Sequence, residues 1–471
     1  MVSKLGFWSV VMLGVNAIIG AGIFLTPGAV IKLAGPLAPM AYILAGLFAG
    51  VMAMVFATAA RYVRTNGASY AYTTAAFGRR IGIYVGVTHA ITASIAWGVL
   101  ASLFVSTLLK VVFPGRTWAD SDQLLSVKTL TFCGFIGVLL VINLFGNRVI
   151  EWANGISTLG KVCALSIFVI GGLWIILTQH VNDYGTSRSA YEPKPFSFFG
   201  AVEMGTSTVS SLALATIAAL YAFTGFESIA NAAEEMKDPD RNLPRAIPLA
   251  VLSVCVIYLL ALGVAMLLGA DDVVASHDIV KLAAPIDNDT FRTVVIVGAL
   301  VSMFGINVAA SFGAPRLWTA LADGRVLPTG LSRTNRFGVP MIAFAITASL
   351  AIAFPLSLRF DSASLTGLAV IARFIQFVIV PIALIALARS KAIEHASVPR
   401  NSFTDKVLPI FAVVISLVLA VSFDYRSIFA TGDGPNYFSI TLVVLTFVVV
   451  PALAYVHFFQ TRKRMVPQTE R

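Results

Sequence analysis

The sequence predicts an all-α integral membrane protein of twelve transmembrane helices. These form two inverted five-helix repeats, with broken helices 1 and 6, plus two extra helices. Three observations carry that expectation. Of 471 residues, 58% are hydrophobic and 12% charged, with a mean hydropathy of +0.87, whereas soluble domains carry about 25% charged residues. The apolar residues gather into twelve stretches, most of them long enough for the ~20 residues that cross a bilayer. Two of those stretches, the first and the sixth, are interrupted by glycine, and such a pair in corresponding positions of two halves points to a transporter's binding site.

The stretches run over residues 7–34, 37–60, 81–109, 129–146, 155–178, 209–232, 246–269, 293–315, 339–357, 363–388, 407–423 and 437–460. The first is broken at Asn16-Ala17-Ile18-Ile19-Gly20-Ala21-Gly22-Ile23-Phe24, where two glycines around Ala21 disfavour continuous helix. Its length and the lack of a small-residue cleavage site read as an uncleaved first span. The segment Asn66-Gly67-Ala68-Ser69-Tyr70-Ala71-Tyr72 is uncharged and tyrosine-rich, which suits a re-entrant or interfacial segment. Residues 179–208 form the longest outside loop, either covering the external entrance or simply connecting two spans. The sixth stretch breaks at Tyr221-Ala222-Phe223-Thr224-Gly225-Phe226-Glu227-Ser228. Residues 1–178 then make a first five-helix repeat and 209–388 a second. Five is odd, so the second is inverted. Residues 407–460 hold two additional helices, candidates for contacts in a homodimer, and 461–471 are a cytoplasmic tail.

Orientation follows from Lys and Arg. With the N-terminus inside, 21 of the 33 fall on the cytoplasmic side and 9 outside, while Lys32, Lys161 and Arg373 lie within spans. That bias places both termini in the cytoplasm of a multi-pass cell-membrane protein. It also explains the net charge of +10 without nucleic acid, for which no basic face with interleaved aromatics appears. Cys133, Cys163 and Cys255 all fall in apolar runs without CxxC spacing and read as buried free thiols. No metal-ligand, catalytic or phosphate-cradling motif is present, so no cofactor is expected and neither an intramembrane enzyme nor an ATP-driven pump fits. A channel would need a charge ring or filter loop, and a sensor on the same scaffold an output domain.

The two breaks suit a zwitterion. Freed N–H groups around Ala21 and Gly22 form the positive end of a half-helix and match a carboxylate. Freed carbonyls from Ile18 and from Tyr221, Ala222, Phe223 and Thr224, beside Gly225, match an ammonium. Lys161 lies alone in the apolar run Ile156-Ser157-Thr158-Leu159-Gly160-Lys161-Val162-Cys163, where a charge is expensive and marks function or snorkels to the interface. Glu227 reads as either a proton-handling carboxylate or a brace for the unwound segment. Arg373 meets either an anionic substrate group or an acidic or carbonyl partner. His89 and Trp97 read as packing residues. Glu234, Glu235, Asp238, Asp240, Arg241 and Arg245 read as an inner gate or loop brace.

Ile19-Gly20-Ala21-Gly22-Ile23-Phe24 resembles the first-helix motif of the amino acid–polyamine–organocation (APC) superfamily of permeases. Phe223 to Ser228 and Ala233 to Ile247 resemble its sixth helix and following loop, and Arg316 with Ala322 to Pro328 the end of its eighth. The resemblance implies a LeuT-like fold and alternating access over essentially the whole chain. It implies that Ala21 and Gly22 meet the substrate carboxylate, that Ile18, Tyr221 and Thr224 meet the ammonium, and that Tyr221 is an aromatic gate. It also implies that Lys161 stands where distant relatives hold sodium, so that proton symport or amino-acid exchange replaces sodium coupling. Ala21 departs from the serine frequent in the family, removing a hydroxyl contact but no backbone one. A small or medium neutral amino acid is the expected substrate. An amino-acid sensor and a polyamine or decarboxylation-linked antiporter are the alternatives on the same scaffold.

Overall fold

Apolar sequence with few breakers satisfies its own backbone as helix, and that is how most of this chain is spent. The computed structural model describes residues 6–63, 68–121, 123, 125–144, 147–198, 202–226, 239–276, 279–390, 401–431 and 434–465. In chain order the main helices are α1 (Phe7–Ile18), α2 (Gly22–Ala34), α3 (Ala38–Tyr62), α4 (Ala68–Phe77), α5 (Arg79–Val112), α6 (Val127–Leu144), α7 (Asn147–Gln179) and α8 (Thr208–Phe223). They continue with α9 (Pro239–Ala275), α10 (Asp289–Asp323), α11 (Met341–Ser357), α12 (Ser362–Arg389) and α13 (Leu408–Ser422). A last helical run spans Tyr437–Val444, a π-helical turn at Leu445–Val449, and Val450–Met465. Among the described residues, strand appears only as two short antiparallel pairs, Pro195–Phe198 with Val202–Thr206 and Ala430–Thr431 with Gly434–Pro435.

Among the described residues, nine helical runs are long and apolar enough to cross a membrane, and Phe7–Ile18, Thr208–Phe223 and Met341–Ser357 are apolar but shorter. Twelve full-length spans are therefore not counted by length. The break cuts the first stretch into two halves, each too short alone, and α2 runs through the 3-10 turn Gly35–Leu37 into α3. The sixth helix stops at Phe223.

Both broken elements lie inside the bundle. α2 packs along α8, while α1 packs on α9 and α3 on both α8 and α9. α7 lies against α10, brought close by glycine: a Cβ on Gly298 would sit 2.5 Å from Ala164 Cβ, and one on Gly160 2.5 Å from Val301 Cγ1. α4 is a helix packed against α5 and α12. Tyr72 is buried and Ser69 donates to Gln376 Oε1 at 3.4 Å, so one face of this helix is held against protein.

The loop over 179–208 clasps the far end of α2. Tyr184 donates its hydroxyl to Pro36 O at 2.7 Å, and the Glu192 amide donates to Lys32 O at 2.7 Å. The expectation for the thiols is corrected: Cys133 and Cys163 are exposed on the outer surface and Cys255 is half-buried. Lipid is as apolar as a protein core, so a cysteine in an apolar run does not reveal which of the two it faces.

Candidate functional site

The first break is made by three residues. α1 ends at Ile18, Ile19 is extended (φ −70°, ψ 102°), and α2 restarts at Gly22. Ala21 at the N-terminus of α2 has no side chain to cap it and makes no capping hydrogen bond. The opening N–H groups of a helix have no partner within it, and together with the helix dipole they make an anion-accepting end. That end is built from backbone at Ala21 and Gly22, and both residues are buried.

The second break is local to Thr224 and Gly225. Thr224 is extended (φ −64°, ψ 147°) and Gly225 takes φ +115°, a conformation that L side chains rarely adopt. Thr224 folds back on its own helix end, its amide donating to Tyr221 O at 3.3 Å and its hydroxyl to the same oxygen at 2.8 Å. The Tyr221 carbonyl is thus already a double acceptor, unlike the open ammonium ligand expected of it.

The two breaks touch. A Cβ on Gly22 would lie 2.4 Å from Ala222 Cα, and one on Gly225 would lie 2.3 Å from Ala17 O. Only glycine at both positions permits this approach. Ile18, Ala21, Gly22, Tyr221, Ala222, Phe223, Thr224 and Gly225 are therefore brought into one place. Glu227 lies outside the described residues, as do Glu234, Glu235 and Asp238.

Lys161 reaches the same place from α7. It is 1% exposed and donates to Asn16 O at 2.9 Å and to Ile19 O at 2.7 Å, so it does not snorkel to the interface. One turn earlier on α7, Thr158 donates to Asn16 Oδ1 at 2.7 Å. The C-terminal carbonyls of a half-helix are its negative end. A buried ammonium against them gains charge-assisted hydrogen bonds in place of water.

Two further residues join the site without having been singled out by sequence. Tyr258 of α9 places its hydroxyl 3.0 Å from Ala222 O and 3.3 Å from Ile18 O, one proton donor between the carbonyls of both breaks. Its ring is edge-on to Phe223 at 5.2 Å and to Tyr42 at 6.3 Å. Thr26 donates to Gly22 O at 2.9 Å and lies 2.6 Å from the Tyr42 hydroxyl. Each sits in an apolar run where an aromatic or a threonine carries no distinguishing signal. Tyr221 itself is buried, and among the described residues its hydroxyl has no hydrogen-bond partner. A buried hydroxyl left so is costly, which fits a group that meets a ligand.

Arg373 of α12 donates to Ala369 O at 2.8 Å, one turn back on its own helix. Trp97 is fully buried and edge-on to Phe344 at 5.5 Å, and His89 is buried. No group of three His, Cys, Asp or Glu residues able to hold a metal occurs among the described residues.

A family model described as amino acid permease matches residues 5–450. An uncharacterized transporter of Mycobacterium tuberculosis is 74% identical, covering 98% of this chain and 96% of its own length. The serine/threonine exchanger SteT of Bacillus subtilis is 25% identical over 87% of this chain and 88% of its own. The vacuolar cationic amino acid transporter 2 of Arabidopsis thaliana is 26% identical over 80% of this chain and 58% of its own.

Proposed function

Because the chain belongs to the amino acid permease family, we propose that it is a secondary active transporter that carries an amino acid by alternating access, either with protons or in exchange, and without sodium. Multi-pass membrane residence and an amino-acid substrate follow from the family; the coupling, the cell membrane as its place and cytoplasmic termini belong to the proposal. So do the two inverted five-helix repeats, at 1–178 and 209–388, and the added pair of helices at 407–460.

The observation that carries the proposal is the apposition of the two breaks, Gly22 against Ala222. One break presents uncapped N–H groups suited to a carboxylate, and the Ile18 and Ala222 carbonyls nearby suit an ammonium. Tyr221, with its buried and unsatisfied hydroxyl, closes over the substrate. As substrate binds, the contacts between the halves of helices 1 and 6 rearrange, and the site opens to one side or the other.

Lys161 takes the part of a fixed cation. An ammonium bonded to Asn16 O and Ile19 O already supplies the positive charge that a sodium ion would bring, which supports sodium independence. The names of the relatives span hydroxylated and cationic amino acids, so the proposal names the substrate as an α-amino acid, with small or medium neutral ones first. Purified protein in liposomes loaded with mixed amino acids tests this. Uptake of at least one labelled amino acid, driven by an inward proton gradient or by the internal pool, is expected. No uptake in either condition would overturn it and favour a sensor.

A further inference from the structure

Two arginines at the start of α5 meet the end of the last helical run. Arg79 and Arg80 are exposed. The Arg79 guanidinium lies 5.5 Å from the centre of the Phe458 ring, and that of Arg80 lies 5.6 Å from the centre of the Phe459 ring. The last run packs along α5, so both contacts sit on the seam between the two helices. Among the described residues, neither arginine is in an ion pair. A ring covers the face of a guanidinium and leaves its N–H edge open, and that edge grips a phosphate through paired hydrogen bonds. The ring also holds the head in place, so less side-chain freedom is left to lose on binding.

The surroundings of this pair are those of a bilayer's edge. Arg79–Val112 and Tyr437–Thr461 are both long and apolar enough to cross a membrane, and the seam ends where the first begins and the second stops. The Lys and Arg count assigns that end to the cytoplasm. Further into the spans the two helices expose Ile81 and Tyr84 on one side, and Leu453 and Val456 on the other. Tyr84 follows Arg80 by four residues and Val456 precedes Phe459 by three, the spacings of one helix face, and tyrosine favours the headgroup level. Past Phe459 the same spacings bring Arg462 and Lys463. Guanidinium groups above lipid-facing apolar side chains match an amphiphile with an anionic head.

We propose that Arg79 and Arg80 bind the phosphodiester headgroup of an anionic phospholipid of the cytoplasmic leaflet. Its acyl chains lie along Ile81 and Tyr84 of α5 and Leu453 and Val456 of the last run, and Arg462 and Lys463 extend the basic charge around the head. The bound lipid bridges α5 and the last run. This assignment goes beyond the transport reading and needs only residence in a membrane.

Native mass spectrometry of the purified full-length protein reads the lipids that stay bound. Phosphatidylglycerol is expected to bind more tightly than phosphatidylcholine with the same acyl chains. Arg79→Gln/Arg80→Gln should weaken phosphatidylglycerol binding about 25-fold, about fivefold for each juxtamembrane arginine. Arg79→Lys/Arg80→Lys keeps both charges without the planar fork, so its affinity should fall between those two, and it serves as the second variant if the first folds poorly. Arg336→Gln is the control: Arg336 is also exposed and lies over a ring, that of Phe337 at 4.6 Å, but on the loop between α10 and α11. It should leave the affinity unchanged. Equal affinity for the two lipids, or undiminished phosphatidylglycerol binding in both double variants, would overturn the proposal. An equal loss in Arg336→Gln would also overturn it, by reducing the site to diffuse surface charge. Inorganic phosphate at millimolar concentration should not displace the lipid; displacement would assign the guanidinium pair to a soluble phosphate and overturn the lipid assignment.

Discussion

Lys161 donates its ammonium to the carbonyl of Ile19 at 2.7 Å, across 142 residues of chain. The contact ties α7 to the end of the first half-helix, and it makes the break in helix 1 a tertiary feature as well as a local one. Lys161→Ala leaves the Asn16 and Ile19 carbonyls buried without this donor, at about 1–3 kcal/mol for each group stranded. A lower thermal midpoint in detergent is expected. Lys161→Arg keeps a cation but puts a planar guanidinium where a compact ammonium reaches the Asn16 and Ile19 carbonyls, so it should restore only part of the loss.

Gly22→Ala is expected to abolish uptake. The added methyl falls on the Ala222 backbone, which cannot swing aside as a side-chain end would, and overpacking of this kind costs about 1–3 kcal/mol. Gly50→Ala is the control: a Cβ there meets only Val251 Cγ1, at 3.9 Å. Matched expression with uptake lost in the first and kept in the second is the expected outcome. Retained uptake in Gly22→Ala would show that the breaks need not meet.

Tyr258→Phe removes one hydroxyl and keeps the ring against Phe223 and Tyr42. The stability change should be near 1 kcal/mol, the usual net worth of a hydrogen bond. The effect on uptake should be larger than that, because the hydroxyl joins Ile18 and Ala222, the two segments that rearrange in the proposed transport cycle. A rate unchanged within error would reduce Tyr258 to packing.

Cys133 and Cys163 are exposed on helices read as membrane spans. A lipid-soluble maleimide should label them in intact membranes, while a charged, water-soluble thiol reagent should not. Rapid labelling by the charged reagent would place these faces on a water-filled path instead of in lipid.

These cysteines show where sequence reading stops. Periodicity separates buried from exposed faces in water, but in a membrane both faces are apolar, so the thiols were read as buried. The breaks were legible because Gly20 and Gly22 flank Ala21 in the first run and Gly225 follows Thr224 in the sixth, where the local pattern favours an interruption of the helix. Lys161 was legible because one charge in an apolar stretch is expensive. Tyr258 was not, since a tyrosine among leucines reads as packing and its partners lie 36 and 240 residues away. Thr158 stands three residues before Lys161, the spacing that puts both on one helix face, but a threonine in an apolar run carries no signal of its own.

The most direct test of Lys161 as a built-in cation is amino-acid uptake into liposomes with sodium replaced by choline on both sides. Uptake at the same rate with and without sodium, and lost in Lys161→Ala, is the expected result. Uptake that requires sodium, or that survives in Lys161→Ala, would contradict the role assigned to that ammonium.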